Sequence, residues 1–369
     1  MYIRLGLADN IRLMQPLPWD VFDETGTLLL SRNSVPTDSN QVRVLIDRGA
    51  YVEQEAFESH RYQLRPAAEL ALNVFEQWEH LHLRLGNLLR RFDREPDFVV
   101  RVRQLAEELM ELVAKDPDAC LFCAIRMDLT TYPIAHCLQV ASCCGAYAQI
   151  GGWEHQNAVT LVCAALTMNC AMLILQYTLC KQAGPLSPAQ QAEVRAHPQL
   201  GRDQLAALGV SDEDWLRAVA EHHETGDGKG YPHGLTEMSQ QAQVLNVLDR
   251  YMALLSPRQY RDAKPANIAA RELYLHSSGP LQAVVARLTK SFGLYPPGCF
   301  VRLANGDVAA VVHRGEHAGK PRVATLVSGQ GIKLLNPIRR DTAAPEYTIT
   351  QTVAEQTLAI QVDPARLFR

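Results

Sequence analysis

Two adjacent histidines open the most chemically dense stretch of the chain, His222-His223-Glu224-Thr225-Gly226-Asp227-Gly228-Lys229-Gly230-Tyr231-Pro232. Imidazoles and carboxylates this close together suit a bound ligand or a metal shell. Successive side chains on a helix point about 100° apart, so neighbouring histidines face one ligand only at a helix end. The preceding residues supply that helix. Ser211 is the expected N-cap, with Asp214 as its reciprocal partner and Trp215, Leu216, Val219 and Ala220 as the apolar face. Gly226, Gly228 and Gly230 end it and let the backbone approach a ligand closely. A second signal is Asp249, inside VLNVLDRYMALL and flanked on its helical sides by Leu245, Leu248, Met252 and Ala253. A carboxylate buried there is costly unless it is paired or ligates a cation.

The elements that position these residues follow from periodicity. Trp19 to Leu30 alternates and turns at Glu24-Thr25-Gly26, as a hairpin does. Val42 to Asp47 reads as a short helix stopped by Gly49. From Pro66 to Lys115 the apolar spacing becomes helical through Leu70, Val74, Trp78, Leu81 and Leu85, then Val99, Val102, Leu105, Leu109 and Leu112. Arg90, Arg91 and Arg94 between them read as a solvated face. These two helices suit a homodimer seam and packing on their own domain equally well. After Asp128-Leu129-Thr130-Thr131-Tyr132, a helix carrying His136 runs to Ile150 and closes at Gly151-Gly152. A lone histidine on an apolar helix is usually a satisfied core residue. Asn157 to Gln176 is apolar all round, the pattern of a helix buried in mid-bundle. Ser187-Pro188 starts a helix that carries Arg195-Ala196-His197-Pro198 and is capped by Gly209. Gln241 to Leu255 is the helix of Asp249. From Tyr295 onward strands alternate around Asn305-Gly306, a strong hairpin signal, with Arg322 to Val327 and Tyr347 to Thr352 extending the sheet.

The chain has 369 residues, of which 47% are hydrophobic and 21% charged, ordinary values for a globular protein with a real core. A net charge of −4 argues against binding a nucleic-acid polymer. No membrane span and no signal peptide are expected. The nine cysteines read as reduced thiols of a cytoplasmic protein. Cys120-x-x-Cys123 lacks a second pair at zinc spacing.

The segment His222 to Pro232 resembles the HD-GYP signature, HHExxDGxGYP, at every signature position, and the resemblance extends over residues 117 to 294. It implies an all-α HD-superfamily bundle flanked by small β-rich domains: residues 1–63 regulatory, 64–116 a helical connector, 117–294 the HD-GYP-like domain and 295–369 a β-rich appendage. Such proteins are usually metal-dependent phosphodiesterases that open cyclic di-GMP. Carried over position by position, the metal-binding residues are His136, His197, His222, His223 and Asp249. Tyr231, Arg258 and Arg261 match positions that hold substrate phosphate. Glu224, Asp227, Gly228, Gly230, Tyr231 and Pro232 form the loop implicated in contacts with GGDEF-type cyclases.

Where the family places its His-Asp pair and a following lysine, this chain has Met168, Asn169 and Met172. In the family that aspartate bridges two cations. An amide oxygen carries no net charge to screen their repulsion, a thioether is a soft ligand, and Met172 removes a cation beside the phosphate. At i and i+4 on one helix, Met168 and Met172 would fill the vacated space. The resemblance therefore implies a degenerate member, holding one Fe, Mn or Zn ion or none, that binds cyclic di-GMP or a protein partner with weak hydrolysis or none. The alternative is an active phosphodiesterase working through an incomplete, one-metal site.

Overall fold

The computed structural model describes residues 2–4, 17, 19–35, 50–53, 56, 73–95, 97–126, 132–257, 262–354 and 363–368. They belong to two compact units, Met1–Leu72 and Asn73–Arg369.

In the first unit β1 (Tyr2–Arg4), β2 (Val21–Phe22), β3 (Leu28–Leu30) and β4 (Tyr51–Glu53) form an antiparallel sheet in the order β1-β4-β2-β3. The β2–β3 hairpin turns where the sequence predicts, because Asp23 Oδ1 accepts from the backbone N–H groups of Thr25 and Thr27, both at 2.9 Å. Leu17, Trp19, Val21, Ala50 and Val52 form its core. The short helix expected at Val42 to Asp47 lies outside the described residues.

The second unit begins with α1 (Val74–Leu89) and α2 (Phe98–Lys115), whose predicted apolar positions from Val74 to Leu112 are buried, apart from a half-buried Val99. Arg90, Arg91 and Arg94 face solvent. Then come α3 (Pro117–Arg126) and α4 (Tyr132–Ile150), the latter buried along almost its whole length and ended by Gly151 and Gly152. The apolar segment from Asn157 to Gln176 is not one helix. It divides into α5 (His155–Thr167), a 3-10 turn at Cys170–Met172 and α6 (Leu173–Cys180). Here the chain bends to lie on α7 (Pro188–Ala207), with Cys170 Sγ beside Gly201. The stretch His155–Cys180 is long and apolar enough to cross a bilayer by length and composition, but 78% of its most apolar window is buried against protein, as in the middle of a helical bundle.

Helix α7 starts with a full capping box from Ser187 and Gln190, and Gly209 at φ +94° completes its C-terminal cap. Helix α8 (Glu213–Glu221) is capped by Asp212 rather than Ser211. The choice is tertiary: Asp212 Oδ1 accepts from Trp215 N at 3.1 Å, while Oδ2 receives Arg103 Nη2 and Thr160 Oγ1, each at 2.9 Å. The bundle finishes with α9 (Gln240–Leu255), capped by Ser239, then α10 (Ala266–His276) and α11 (Gly279–Phe292).

A second antiparallel sheet follows, with β5 (Phe300–Leu303), β6 (Val308–His313), β7 (Arg322–Val327), β8 (Lys333–Asp341) and β9 (Ile349–Val353) in the order β8-β7-β6-β5-β9. Its β5–β6 hairpin turns at Asn305-Gly306, with Gly306 at φ +87°. Helix α12 (Pro364–Phe368) returns Phe368 to an aromatic cluster with Phe75 of α1 and Phe122 of α3, which ties the sheet to the bundle. All nine cysteines are free thiols.

Candidate metal centre

Helix α8 ends at Glu221, with His222 as the C-cap, so the histidine pair sits at a helix end. From there the backbone turns into the glycine-rich loop, and His222, His223 and His197 of α7 converge. One ring nitrogen from each lies within 4.8 Å of the others. Two of the tautomers are fixed by the backbone. His197 Nδ1 donates to Val194 O and His222 Nδ1 to Val219 O, both at 2.7 Å. Each Nε2 is therefore left with a lone pair, and the two Nε2 atoms face each other at 3.2 Å.

Two lone pairs at that separation repel unless a cation lies between them. Two nitrogens bound tetrahedrally to one zinc stand about 3.3 Å apart, so the spacing fits a single metal ion. Protonation is a poor substitute. Burial, together with the charge of His222, pushes His197 down to about 3. Burial likewise lowers His222 and His223. The three rings are neutral imidazoles, the state that ligates metals.

His136 and Asp249 are brought to the same region but engage each other. His136 Nε2 donates to Asp249 Oδ1 at 2.7 Å, and its ring stacks on Tyr132. Its buried Nδ1 has no hydrogen-bond partner among the described residues. Burial pushes Asp249 up, but the hydrogen bond and charge of His136, with His223 and His222 beyond it, hold it below the ordinary carboxylate range. An ionised Asp249 favours a cation at the histidine trio without being bound up in it. The hydrogen bond from His136 offsets the cost of burying this carboxylate.

The loop is built to hold this end of α8. Glu224 is fully buried: Oε1 accepts from the N–H groups of His233 (2.7 Å) and Gly234 (3.2 Å), and Oε2 from Leu235 (2.9 Å). Asn246 Nδ2 on α9 donates to the carbonyls of His222 (2.9 Å) and Glu224 (3.0 Å). A Cβ on Gly230 would collide with the backbone of Glu224 and Thr225, so only glycine fits. Tyr231, joined to Pro232 by a cis peptide, stacks on His223 at 4.7 Å between centroids. Asp227, Gly228 and Lys229 form the exposed tip.

Met168 and Asn169 are buried at the end of α5, and Met172, half-buried, is the last residue of the 3-10 turn. The break in the helix removes the i, i+4 relation expected of the two methionines. Arg258 and Arg261 lie outside the described residues. Sequence reasoning missed Asn246, although the argument applied to Asp249, a polar residue within an apolar helix, would have found it. It also left Arg195 and Gln199 without a role. Both sit on the α7 face that meets the loop, Arg195 over the Tyr231 ring and Gln199 Oε1 accepting from His233 Nε2 at 2.9 Å.

Residues 103–278 match the HD domain family. The chain is 26% identical over 229 residues to a cyclic di-GMP phosphodiesterase of Pseudomonas aeruginosa, covering 61% of this chain and 55% of that protein. It is 30% identical over 137 residues to a 3′3′-cGAMP-specific phosphodiesterase of Vibrio cholerae, covering 36% of this chain and 29% of that one. The chain thus spans about half, or less, of these relatives' lengths. Among solved structures, an HDG"Y"P protein of Bdellovibrio bacteriovorus superposes with a TM-score of 0.55 at 18% identity, over 78% of this chain and 98% of that one. That likeness establishes the HD-type fold.

Proposed function

We propose that the chain is an HD-GYP member of the HD domain family whose catalytic site is depleted. It holds one divalent transition metal on His197, His222 and His223, binds cyclic di-GMP or a related cyclic dinucleotide, and hydrolyses it weakly or not at all. The observation that carries this reading is the contrast across the site. Three imidazoles converge, whereas the positions that match the family's His-Asp pair hold Met168 and Asn169, buried and uncharged. Asp249 does not fill that need, since its Oδ1 is held by His136.

When bound, a cation at the trio supplies Lewis acidity toward a phosphoryl oxygen. The chain's own residues then divide the remaining work. Tyr231 offers a ring face beside His223, Asp249 keeps the pocket negative enough to retain the ion, and Glu224 fixes the loop that carries both. Arg258 and Arg261 are proposed phosphate ligands, since arginine meets phosphate oxygens in pairs. The exposed tip from Asp227 to Lys229 is the part of the loop that a GGDEF-type cyclase would meet.

A one-metal phosphodiesterase is the second reading, and the convergence of the histidine trio is what favours it. Elemental analysis and a turnover assay separate the two. We expect at most one metal per chain and negligible product with manganese, ferrous or zinc ions. Two metals per chain would overturn the depleted-site reading, and robust product formation abolished by His222→Ala would establish the one-metal enzyme.

A further inference from the structure

Position 172 carries no cation, but α7 places one beside the loop. Arg195, in the second turn of α7 and two residues before His197, places its Cζ 5.1 Å from the centroid of the Tyr231 ring. The Tyr231 ring also stacks on His223, at 4.7 Å with 29° between planes. Tyr231 therefore touches both the guanidinium and an imidazole of the histidine trio. No carboxylate hydrogen bond or ion pair to Arg195 is found among the described residues, whereas Arg84, Arg101, Arg103, Arg217 and Arg314 each pair with an acid.

We infer that Arg195 is a phosphodiester-binding residue, with Tyr231 as the shelf that holds it at the entrance to the histidine trio. The inference rests on the nucleotide-binding reading above. The physical ground is the shape of the guanidinium. Its Cζ lies over an aromatic ring, whose π face attracts the cation. A guanidinium seated on a ring keeps its N–H donors in plane at its edges, where two phosphate oxygens can be met at once. A lysine at this position would supply charge without that fork.

The rival account is that Arg195 only braces the loop. It shares its helix face with Gln199, which accepts from His233 Nε2 at 2.9 Å, so α7 grips the loop at two points one helical turn apart. A brace and an anion ligand respond differently to substitution. Arg195→Lys keeps the charge, Arg195→Met keeps most of the packing, and Gln199→Ala removes the other brace alone.

Full-length protein and these three variants are titrated by calorimetry with cyclic di-GMP and, separately, with inorganic phosphate, with metal content and melting temperature recorded for each. The expected result is that Arg195→Met weakens both ligands at least about tenfold, Arg195→Lys recovers part of the phosphate affinity but less of the cyclic di-GMP affinity, and Gln199→Ala changes neither. Metal content stays at the wild-type value throughout. If wild type binds phosphate in an Arg195-dependent way but not cyclic di-GMP, the arginine assignment stands and the nucleotide reading falls. If Arg195→Met binds both ligands as wild type does, or loses affinity only in step with melting temperature and metal content, Arg195 is a brace and the inference is overturned. Wild type that binds neither ligand overturns it as well.

Discussion

The two walls of the site are made by opposite means. On the wall formed by α7, α8 and the loop, polar groups are held in fixed pairs: His197 to Val194 O, His222 to Val219 O, Glu224 to three N–H groups, Asn246 to two carbonyls. On the wall formed by the end of α5 the residues are Met168, Asn169 and Cys170, buried without a charge among them. The first wall is specified by directional bonds and the second by volume. A wall of the first kind keeps its shape for reasons of stability, whatever chemistry it serves. The loop therefore says little about catalysis by itself, and on the depleted-site proposal the second wall is where activity is tested.

The largest effect should come from rebuilding that second wall. Met168→His with Asn169→Asp is expected to raise the metal content from one ion to two per chain. Adding Met172→Lys should bring cyclic di-GMP turnover at least about 100-fold above wild type, since each restored electrostatic contact is typically worth that much. Without metal the triple variant should melt lower than wild type, because new charges are buried in an apolar segment, and it should gain more on adding manganese. An unchanged metal content would mean that the 3-10 turn has carried position 169 out of reach of the trio.

The next effect separates the trio from the His136–Asp249 pair. His197→Ala should lower zinc affinity by more than the roughly 10–100-fold that loss of a residue outside the ligand set costs, whereas His136→Ala should stay within that range. Equal losses in a competitive chelator titration would put His136 among the ligands and break the distinction.

A third effect probes the bonded wall for stability alone. Glu224→Ala strands three backbone donors that now share one carboxylate. At roughly 1–3 kcal/mol for each unsatisfied buried group, denaturant unfolding should show a loss above about 3 kcal/mol. A loss below about 1 kcal/mol would mean that the loop is held by something else.

How much of this could be read in the sequence depends on the range of the force involved. The Ser187 cap and the Asn305-Gly306 turn are settled by neighbours within four residues, and both stand where the pattern places them. The end of α8 was legible because two adjacent histidines have no other common geometry. Asp212, by contrast, wins the cap from Ser211 through Arg103 and Thr160, which are distant in sequence. The break after Thr167 is similarly non-local: Thr167 Oγ1 accepts from Trp215 Nε1 at 2.8 Å, and the turn beyond it fits against Gly201. The division of the five expected ligands into a trio and a pair depends on which atoms point at which, and periodicity carries no such information. Arg195 escaped notice because an exposed arginine on a helix is ordinary until an aromatic ring is found beneath it.

The smallest predicted effect concerns protons. His197 titrates near 3 in the folded state against 6.5 unfolded, and His222 and His223 are lowered too. Below pH 6.5 the unfolded chain takes up protons that the folded site refuses, so stability is present above that value and is lost as the pH falls toward 3. Asp249, lowered from 3.8, adds to the loss at the acid end of the window. Metal-free protein should therefore melt at least about 4 °C lower at pH 5 than at pH 7.5. A flat profile would mean that the trio opens to water before the chain unfolds.

The buried carboxylate of Glu224 also decides how anything can associate with this loop. A segment that orders only when its ligand arrives gives up conformational entropy at that moment, and the affinity is reduced by the same amount. Here the segment from Glu224 to Leu235 is ordered by folding itself, through bonds that face inward. Encounter with a nucleotide or a protein at Tyr231 or at the Asp227–Lys229 tip then becomes a docking of preformed surfaces, limited by diffusion and orientation rather than by closure of the chain. Whatever binds there has to adapt to the loop.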